Sequence, residues 1–346
     1  MSHKLSPNST AIDGPIGLIR GGAVAGFDEF APATRPGAVA VAEGRVIDAG
    51  PTIDLERRYL ADAAVVRDRP GELILPGMVN AHAHLQLTTI GPQPYTGDFV
   101  SWVEMLRRHW PGDGEPFAKQ PSESWFVAAV RDGAKQSLAA GVQAVGDIIR
   151  FDAEARARRE TGLDGIGFVE LFGHGPPFDH DARARLTQPA EGFQPHAPYS
   201  AGPAVFESAA ASGRPVSTHL AETRDELEFV ATGRGAFLDL LKAPPIKWDD
   251  TFADHYAAGL SPVRWMEPYL RRTPWLLAHC NYVDDDDIAL LAETGSSVVY
   301  CPIASEYFGH HHHRYRDMLE AGMNVCLGTD SIVCQPSADV EPQPLG

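Results

Sequence analysis

The feature that most constrains this chain is a rhythm. From Leu73 to Asp330, short apolar runs alternate with longer amphipathic stretches, the pattern of repeated β/α units around a parallel sheet. Eight runs read as strands: residues 73–84 (within ELILPGMVNAHAH), Val142–Ile148, Gly165–Phe172, Gly192–Ala197, Pro215–Ala221, Trp275–Cys280, Ser297–Pro302 and Asn324–Asp330. Helices are predicted between them over Ser122–Ala140, Ala153–Glu160, Ala204–Ala211, Asp284–Thr294 and His313–Ala321. Eight parallel strands over this length predict an α/β fold, a (β/α)8 TIM-like barrel, whose usual size is about 250 residues.

The texture on either side is different. From Gly17 to Glu72 the apolar runs are short and separated by Gly and Pro, which predicts small antiparallel strands with tight turns. The expected division is a small, partial β-sandwich over residues 1–72 that lacks its C-terminal strands, a barrel over 73–331 and a disordered tail over 332–346. Two inserts interrupt the barrel rhythm: PQPYTGDFVSWVEMLRRHWPGDGEPF after the first strand, and Thr223–Arg272 after the fifth. Long loops after barrel strands normally wall the pocket, so both are expected to face substrate.

Composition excludes several classes of function. Lys+Arg total 29 against Asp+Glu 46, a formal charge of −17 that repels phosphate backbones and argues against nucleic acid as a partner. Met1–Pro15 carries no apolar core for a signal peptide, and no apolar run reaches the roughly 20 residues of a spanning helix. The expectation is a cytoplasmic protein that does not engage membranes. Cys280, Cys301, Cys326 and Cys334 form no C-x-x-C pair and read as reduced thiols.

The chemistry-bearing residues gather at strand ends. His82 and His84 lie two apart on an extended run, so both imidazoles point to one face. His219 and Glu222 follow the fifth strand, His279 ends the sixth, and Asp330 ends the eighth. Each alone has a blander account: a core histidine with a hydrogen bond, or a carboxylate capping the next helix. Together they fall on the C-terminal face of the predicted barrel, where barrel active sites sit. Three imidazoles and a carboxylate suit one catalytic Zn²⁺ or a similar first-row ion with a position open for water. The Asp284–Asp287 run reads as acidic residues complementing a helix dipole. In YFGHHHHRY, His310–His313 read mostly as solvated residues ahead of a helix, with one or two at the pocket border as the alternative.

LPGMVNAHAHLQ, PHAPYS, THLAET, AHC, CP and LGTDS, in that order, resemble the amidohydrolase superfamily. More narrowly they resemble its mononuclear amino- and chlorohydrolases, which act on purines, pterins, triazines and nucleoside-like compounds. The resemblance implies metal ligands His82, His84, His219 and Asp330, with Glu222 shuttling a proton from metal-bound water to a ring nitrogen. It implies that His279 polarises that water and that His196 of PHAPYS touches substrate. A related subclass bridges two metals with a carboxylated lysine on the fourth strand. That strand holds His196 here, and none of the five lysines (Lys4, Lys119, Lys135, Lys242, Lys247) lies in a predicted strand, so one metal is expected: zinc, with iron as the alternative. Gln86 is a candidate for a ring amide and Trp102 for stacking on a planar substrate, with packing roles as the alternatives.

The expected reaction is hydrolytic deamination of an aminated heteroaromatic ring, by attack of metal-bound water with release of ammonia. Phe99, Trp102 and Val103 in F-x-x-W-V resemble the nucleoside-type deaminases of the branch, including those acting on aminofutalosine. The alternatives are a chlorohydrolase on a triazine-like ring, or a truncated paralogue with little or no catalysis. Members of the family usually continue beyond the eighth strand with a helix and further strands, so the chain is expected to lack that support. Apolar surface so exposed would favour a homo-oligomer.

Overall fold

The structure is a computed structural model that describes residues 15–26, 33–109, 122–173, 182, 184–242, 253 and 255–335. The chain divides into two compact units, Met1–Gly77 and Met78–Gly346.

The first unit is one four-stranded sheet, β1 (Ile16–Val24), β2 (Gly37–Ala42), β3 (Arg45–Pro51) and β4 (Ala63–Ile74), in the order β3-β2-β1-β4. β2 and β3 pair antiparallel around Glu43-Gly44, both at positive φ (51° and 73°), the geometry a two-residue hairpin needs. The helix Thr52–Tyr59 lays Leu55 on Leu18, Ala38 and Ala40. Two expectations are corrected here. β4 lies parallel to β1, because two antiparallel pairings make β3 parallel to β1 and the helical crossover returns the chain in that direction. Among the described residues of this unit there is one sheet with a helix packed on it. The run ELILPGMVNAHAH also splits: Ile74 pairs with Val24 in the first unit, and the next strand starts only after Pro76-Gly77.

The second unit alternates strands and helices as the rhythm predicts. Its strands are β5 (Met78–Ala83), β6 (Val142–Ile149), β7 (Asp164–Leu171), β8 (Gly192–Pro195), β9 (Ser217–Leu220), β10 (Leu276–His279), β11 (Ser297–Tyr300) and β12 (Asn324–Leu327). They form two parallel sheets, β5-β6-β7-β8 and β12-β11-β10-β9. Single parallel bridges join them at both ends, Phe193↔Val216 and Ala83↔Asp330. Val145, Phe193, Leu277, Val298 and Val299 are buried in these strands, so the parallel sheets are covered.

The intervening helices carry the expected caps. Ser122 accepts from Trp125 N ahead of Glu123–Ala139. In the acidic run, Asp284 and Asp287 form a reciprocal capping box, and Arg264 pairs with Asp284 and Asp286. The first insert contributes the helix Phe99–His109, and the second contributes Arg224–Thr232, Ala236–Lys242 and Pro262–Leu270; residues 110–121 and 243–252 lie outside the described residues. Of the tail expected to be disordered, Ile332–Cys334 forms a 3-10 turn with Val333 and Cys334 buried, and residues 336–346 lie outside the described residues. The four cysteines are free thiols. Among the described residues no helix is long and apolar enough to cross a membrane.

Candidate metal and catalytic site

The strand ends bring six of the expected side chains into one cluster. His82 sits within β5 and His84 just past it, their ring centroids 5.1 Å apart. His219, in β9, lies 5.0 Å from His82 and 5.3 Å from His84 between centroids. Asp330 reaches the cluster because the bridge to Ala83 is reinforced on both sides. Asp330 N donates to His82 O at 3.0 Å, and His84 N donates to Asp330 O at 3.1 Å. Asp330 Oδ1 is then 3.6 Å from Nε2 of both His82 and His84. His279 ends β10 5.6 Å from His82 between centroids, and its Nε2 is 3.7 Å from Glu222 Oε1.

Backbone strain accompanies this convergence. Ala221, His279, Cys280 and Asp330 all have φ between 50° and 74°, a region few non-glycine residues adopt. Such residues cost of order 1–3 kcal/mol each and persist where the surroundings over-determine them.

The electrostatics favour neutral imidazoles. Burial pushes His82 and His219 down to about 3, and pushes His84 and His279 well below the ordinary histidine range. Glu222 is held well above the ordinary glutamate range by burial first, then by Asp330 and Glu226. Glu226 accepts from the Ala221 and Glu222 backbone N–H groups, fixing the turn that carries Glu222.

Several details fit a divalent cation. His219 Nδ1–H donates to His196 O at 2.9 Å, since a carbonyl only accepts, and this leaves the Nε2 lone pair facing His84 Nε2 at 3.1 Å. Gln86 lies 3.3 Å from His84 Nδ1, and its Oε1 is buried without a partner. Turned with Oε1 inward, that amide accepts from His84 Nδ1–H and frees the His84 Nε2 lone pair. His82 Nε2 and His279 Nε2 are buried without hydrogen-bond partners. Buried polar atoms of this kind are costly unless something satisfies them. Ligand atoms of His82, His84 and Asp330, and of His82, His219 and His279, lie within 4.8 Å of one another in each group. Neutral imidazoles with one carboxylate are a donor set for a divalent first-row ion.

Of the remaining expected residues, His196 stands one position past β8. Its ring stacks on Phe172 at 4.7 Å, Nδ1 is 2.5 Å from Ser200 Oγ, and Nε2 is 3.9 Å from Glu170 Oε1. Trp102 packs against Phe99 and Phe308, and its Nε1–H donates to Tyr307 OH at 3.1 Å.

Sequence reasoning missed a supporting layer. Gln194, buried in β8, brings its amide within 3.2 Å of His219 Nδ1. Asp147 accepts from Leu85 N at 3.1 Å and so holds the turn after His84. Asn80 and Thr329 exchange two hydrogen bonds, 2.7 and 3.0 Å, that tie β5 to the segment carrying Asp330. Glu170, at the end of β7, is buried 3.8 Å from Arg150. Gln194, Glu170 and Asp147 share one legible signal: each is a polar residue in the buried part of a mainly apolar strand.

A strand-end cluster of neutral imidazoles with a buried carboxylate defines a class of protein, the metal-dependent hydrolases built on parallel α/β sheets. The chain belongs to the amidohydrolase family, whose sequence profile matches residues 73–341. It is 31% identical over 333 residues to the 5-methylthioadenosine/S-adenosylhomocysteine deaminase of Symbiobacterium thermophilum, an alignment spanning 90% of this chain and 69% of that protein. It is 30% identical over 334 residues to the aminodeoxyfutalosine deaminase of Deinococcus radiodurans, spanning 89% of this chain and 75% of that one. Its fold is shared with a zinc-bound adenosine deaminase from Xanthomonas campestris, at a TM-score of 0.71 and 22% identity, covering 93% of this chain and 71% of that one.

Proposed function

We propose that this chain is a hydrolytic deaminase that releases ammonia from the aminated ring of a nucleoside-like substrate. The observation that carries the reading is the pairing of Glu222 with His279, 3.7 Å apart, at the edge of a set of three imidazoles and one carboxylate. The two sequence relatives named above are deaminases, which favours this reaction over displacement of chloride. In this reading the two sheets and their two bridges make one eight-stranded (β/α)8 ring, and the first unit is an accessory domain. Four free thiols support a reducing, cytoplasmic setting.

His82, His84, His219 and Asp330 are the proposed ligands of one divalent ion, zinc first and iron as the alternative. When bound, such an ion acts as a Lewis acid and lowers the pKa of water from 15.7 to about 7. The net reaction adds water across the C–N bond: oxygen joins the amino-bearing carbon, a proton reaches the departing amine, and ammonia leaves. Glu222, held above the ordinary glutamate range by burial, is the proposed carrier of a proton from the attacking water to the ring nitrogen. His279, kept neutral, hydrogen-bonds that water through Nε2 and holds it toward the ring. His196 and Gln86 are the proposed substrate contacts, and Trp102 is the proposed stacking partner of a planar ring.

The test is a substrate panel with purified, zinc-loaded protein: adenosine, 5′-methylthioadenosine, S-adenosylhomocysteine, a pterin and a chlorotriazine. Ammonia release from at least one nucleoside is expected. Chloride release from the triazine with no ammonia from any nucleoside would overturn the reading.

A further inference from the structure

The run His310–His313 is the sequence feature that the reaction leaves unused. Its four members have separate fates: His311 and His312 are exposed, while His310 and His313 turn inward. His310 Nδ1 meets Tyr282 OH at 2.9 Å. His313 reaches further, with Nε2 2.7 Å from the backbone carbonyl of His279.

That contact falls on an unusual peptide. His279 and Cys280 are consecutive residues at positive φ, 74° and 53°, so the peptide between them is turned away from any ordinary strand ending. Both of its polar ends are held. Its N–H, from Cys280, donates to Leu220 O at 2.8 Å, and its C=O, from His279, accepts from His313. The carbonyl can only accept, so His313 must carry its proton on Nε2. Its Nδ1 is then a lone pair, and that atom is buried without a partner. The ring is fixed by stacking on Tyr300 at 4.2 Å and 29°, and Tyr300 in turn stacks on Tyr315 at 5.5 Å and 10°. The His279 side chain points from this peptide to Glu222, with Nε2 3.7 Å from Oε1 and without a hydrogen-bond partner.

We propose that His313 is a positioning residue: its Nε2–H clamps the His279–Cys280 peptide in the left-handed turn that aims the His279 imidazole at Glu222. The inference rests on the role given above to His279. It acts through main-chain geometry, and a misplacement of about 1 Å at a reacting group can cost about 10²-fold in rate.

Two variants separate the donor from the ring. His313→Phe keeps the stack on Tyr300 and removes the donor; His313→Gln removes the ring and keeps a donor near the Nε2 position. On a nucleoside that the wild type deaminates, His313→Phe is expected to lower kcat about 10- to 100-fold. KM and bound metal should stay within about twofold, and His313→Gln should recover most of the loss. Equal kcat in the two variants, or an unchanged kcat in His313→Phe, overturns the proposal. If His313→Phe does not fold, His313→Asn replaces it, its amide being too short to reach the carbonyl, with the same criterion against His313→Gln. A second readout is independent of turnover. Histidine-selective ¹⁵N NMR of the wild type should find His313 as the Nε2–H tautomer, and the His279 signals should move in the donor-less variant but not in His313→Gln. An Nδ1–H tautomer overturns the clamp. Absence of ammonia release from the wild type, with the NMR result intact, defeats the deaminase reading alone.

Discussion

Glu154 offers a quantitative test of how the turn after β6 is held. Its Oε2 accepts from Arg150 N at 2.9 Å and Phe151 N at 2.7 Å, closing the first turn of the helix Asp152–Glu160. Its Oε1 is buried without a partner. Burial, the dominant cause, pushes the carboxyl up from 4.5 to about 7, against the backbone N–H groups that pull the other way. The sign follows from which state holds the proton. Below pH 4.5 both states are protonated, and the stability from this group is complete. Between 4.5 and about 7 the unfolded chain releases a proton that the folded chain keeps, so stability falls as pH rises. A rise of about 2.5 units at 1.36 kcal/mol each makes the total loss about 3 kcal/mol.

Glu154→Gln removes this dependence, because its amide oxygen accepts the same two N–H groups at every pH. The amide NH₂ meets the pocket where Oε1 had no partner, which costs about 1–3 kcal/mol independent of pH. The assay is urea denaturation of both proteins from pH 4.5 to 8, followed by tryptophan fluorescence. The variant should start less stable at acid pH and gain on the wild type by about 3 kcal/mol by pH 7.5. Asp147, itself raised by burial and then by Glu154, should shift the difference in the same direction. Parallel stability curves would refute the reasoning, since they would mean that Glu154 ionises in the folded chain as it does in the unfolded one.

Other consequences are simpler to read. Glu222→Gln is expected to keep its metal and lose about 10²- to 10⁴-fold in turnover, whereas His219→Ala should lose metal and turnover together; metal analysis beside initial rates distinguishes them. Asn80→Ala removes both hydrogen bonds to Thr329, so it should cost about 1–3 kcal/mol in urea denaturation and weaken metal retention through Asp330. Gly146→Ala should yield little soluble protein, because a Cβ there would stand 2.2 Å from the Ala81 carbonyl oxygen, which neither strand can move without shifting the His82 segment; normal expression and stability would contradict that packing.

The parts of the fold legible in the sequence were those written locally. Buried parallel strands read as apolar runs, and the spacing of two between His82 and His84 is a property of any extended segment. What escaped depends on pairing across the chain. Asn80 and Thr329 are 249 residues apart, and nothing near either announces the other. The helix Thr52–Tyr59 was hidden in a short charged stretch with one apolar anchor, Leu55, so the parallel return of β4 beside β1 went with it. Ile74 belongs to the first unit, which its apolar run cannot state because such a run does not name the sheet it joins; Pro76-Gly77 marks the break. The histidine run shows the same limit: four identical letters conceal that two face solvent and one holds the His279 backbone.

The central claim is that one divalent ion, held by His82, His84, His219 and Asp330, makes this chain a hydrolytic deaminase. Its most direct test measures metal bound per chain and ammonia released on the same samples, as purified, after chelation and after stepwise return of zinc. The account predicts activity that vanishes on chelation and returns linearly, saturating at one ion per chain. Saturation at two ions, or ammonia release that persists without metal, would contradict it.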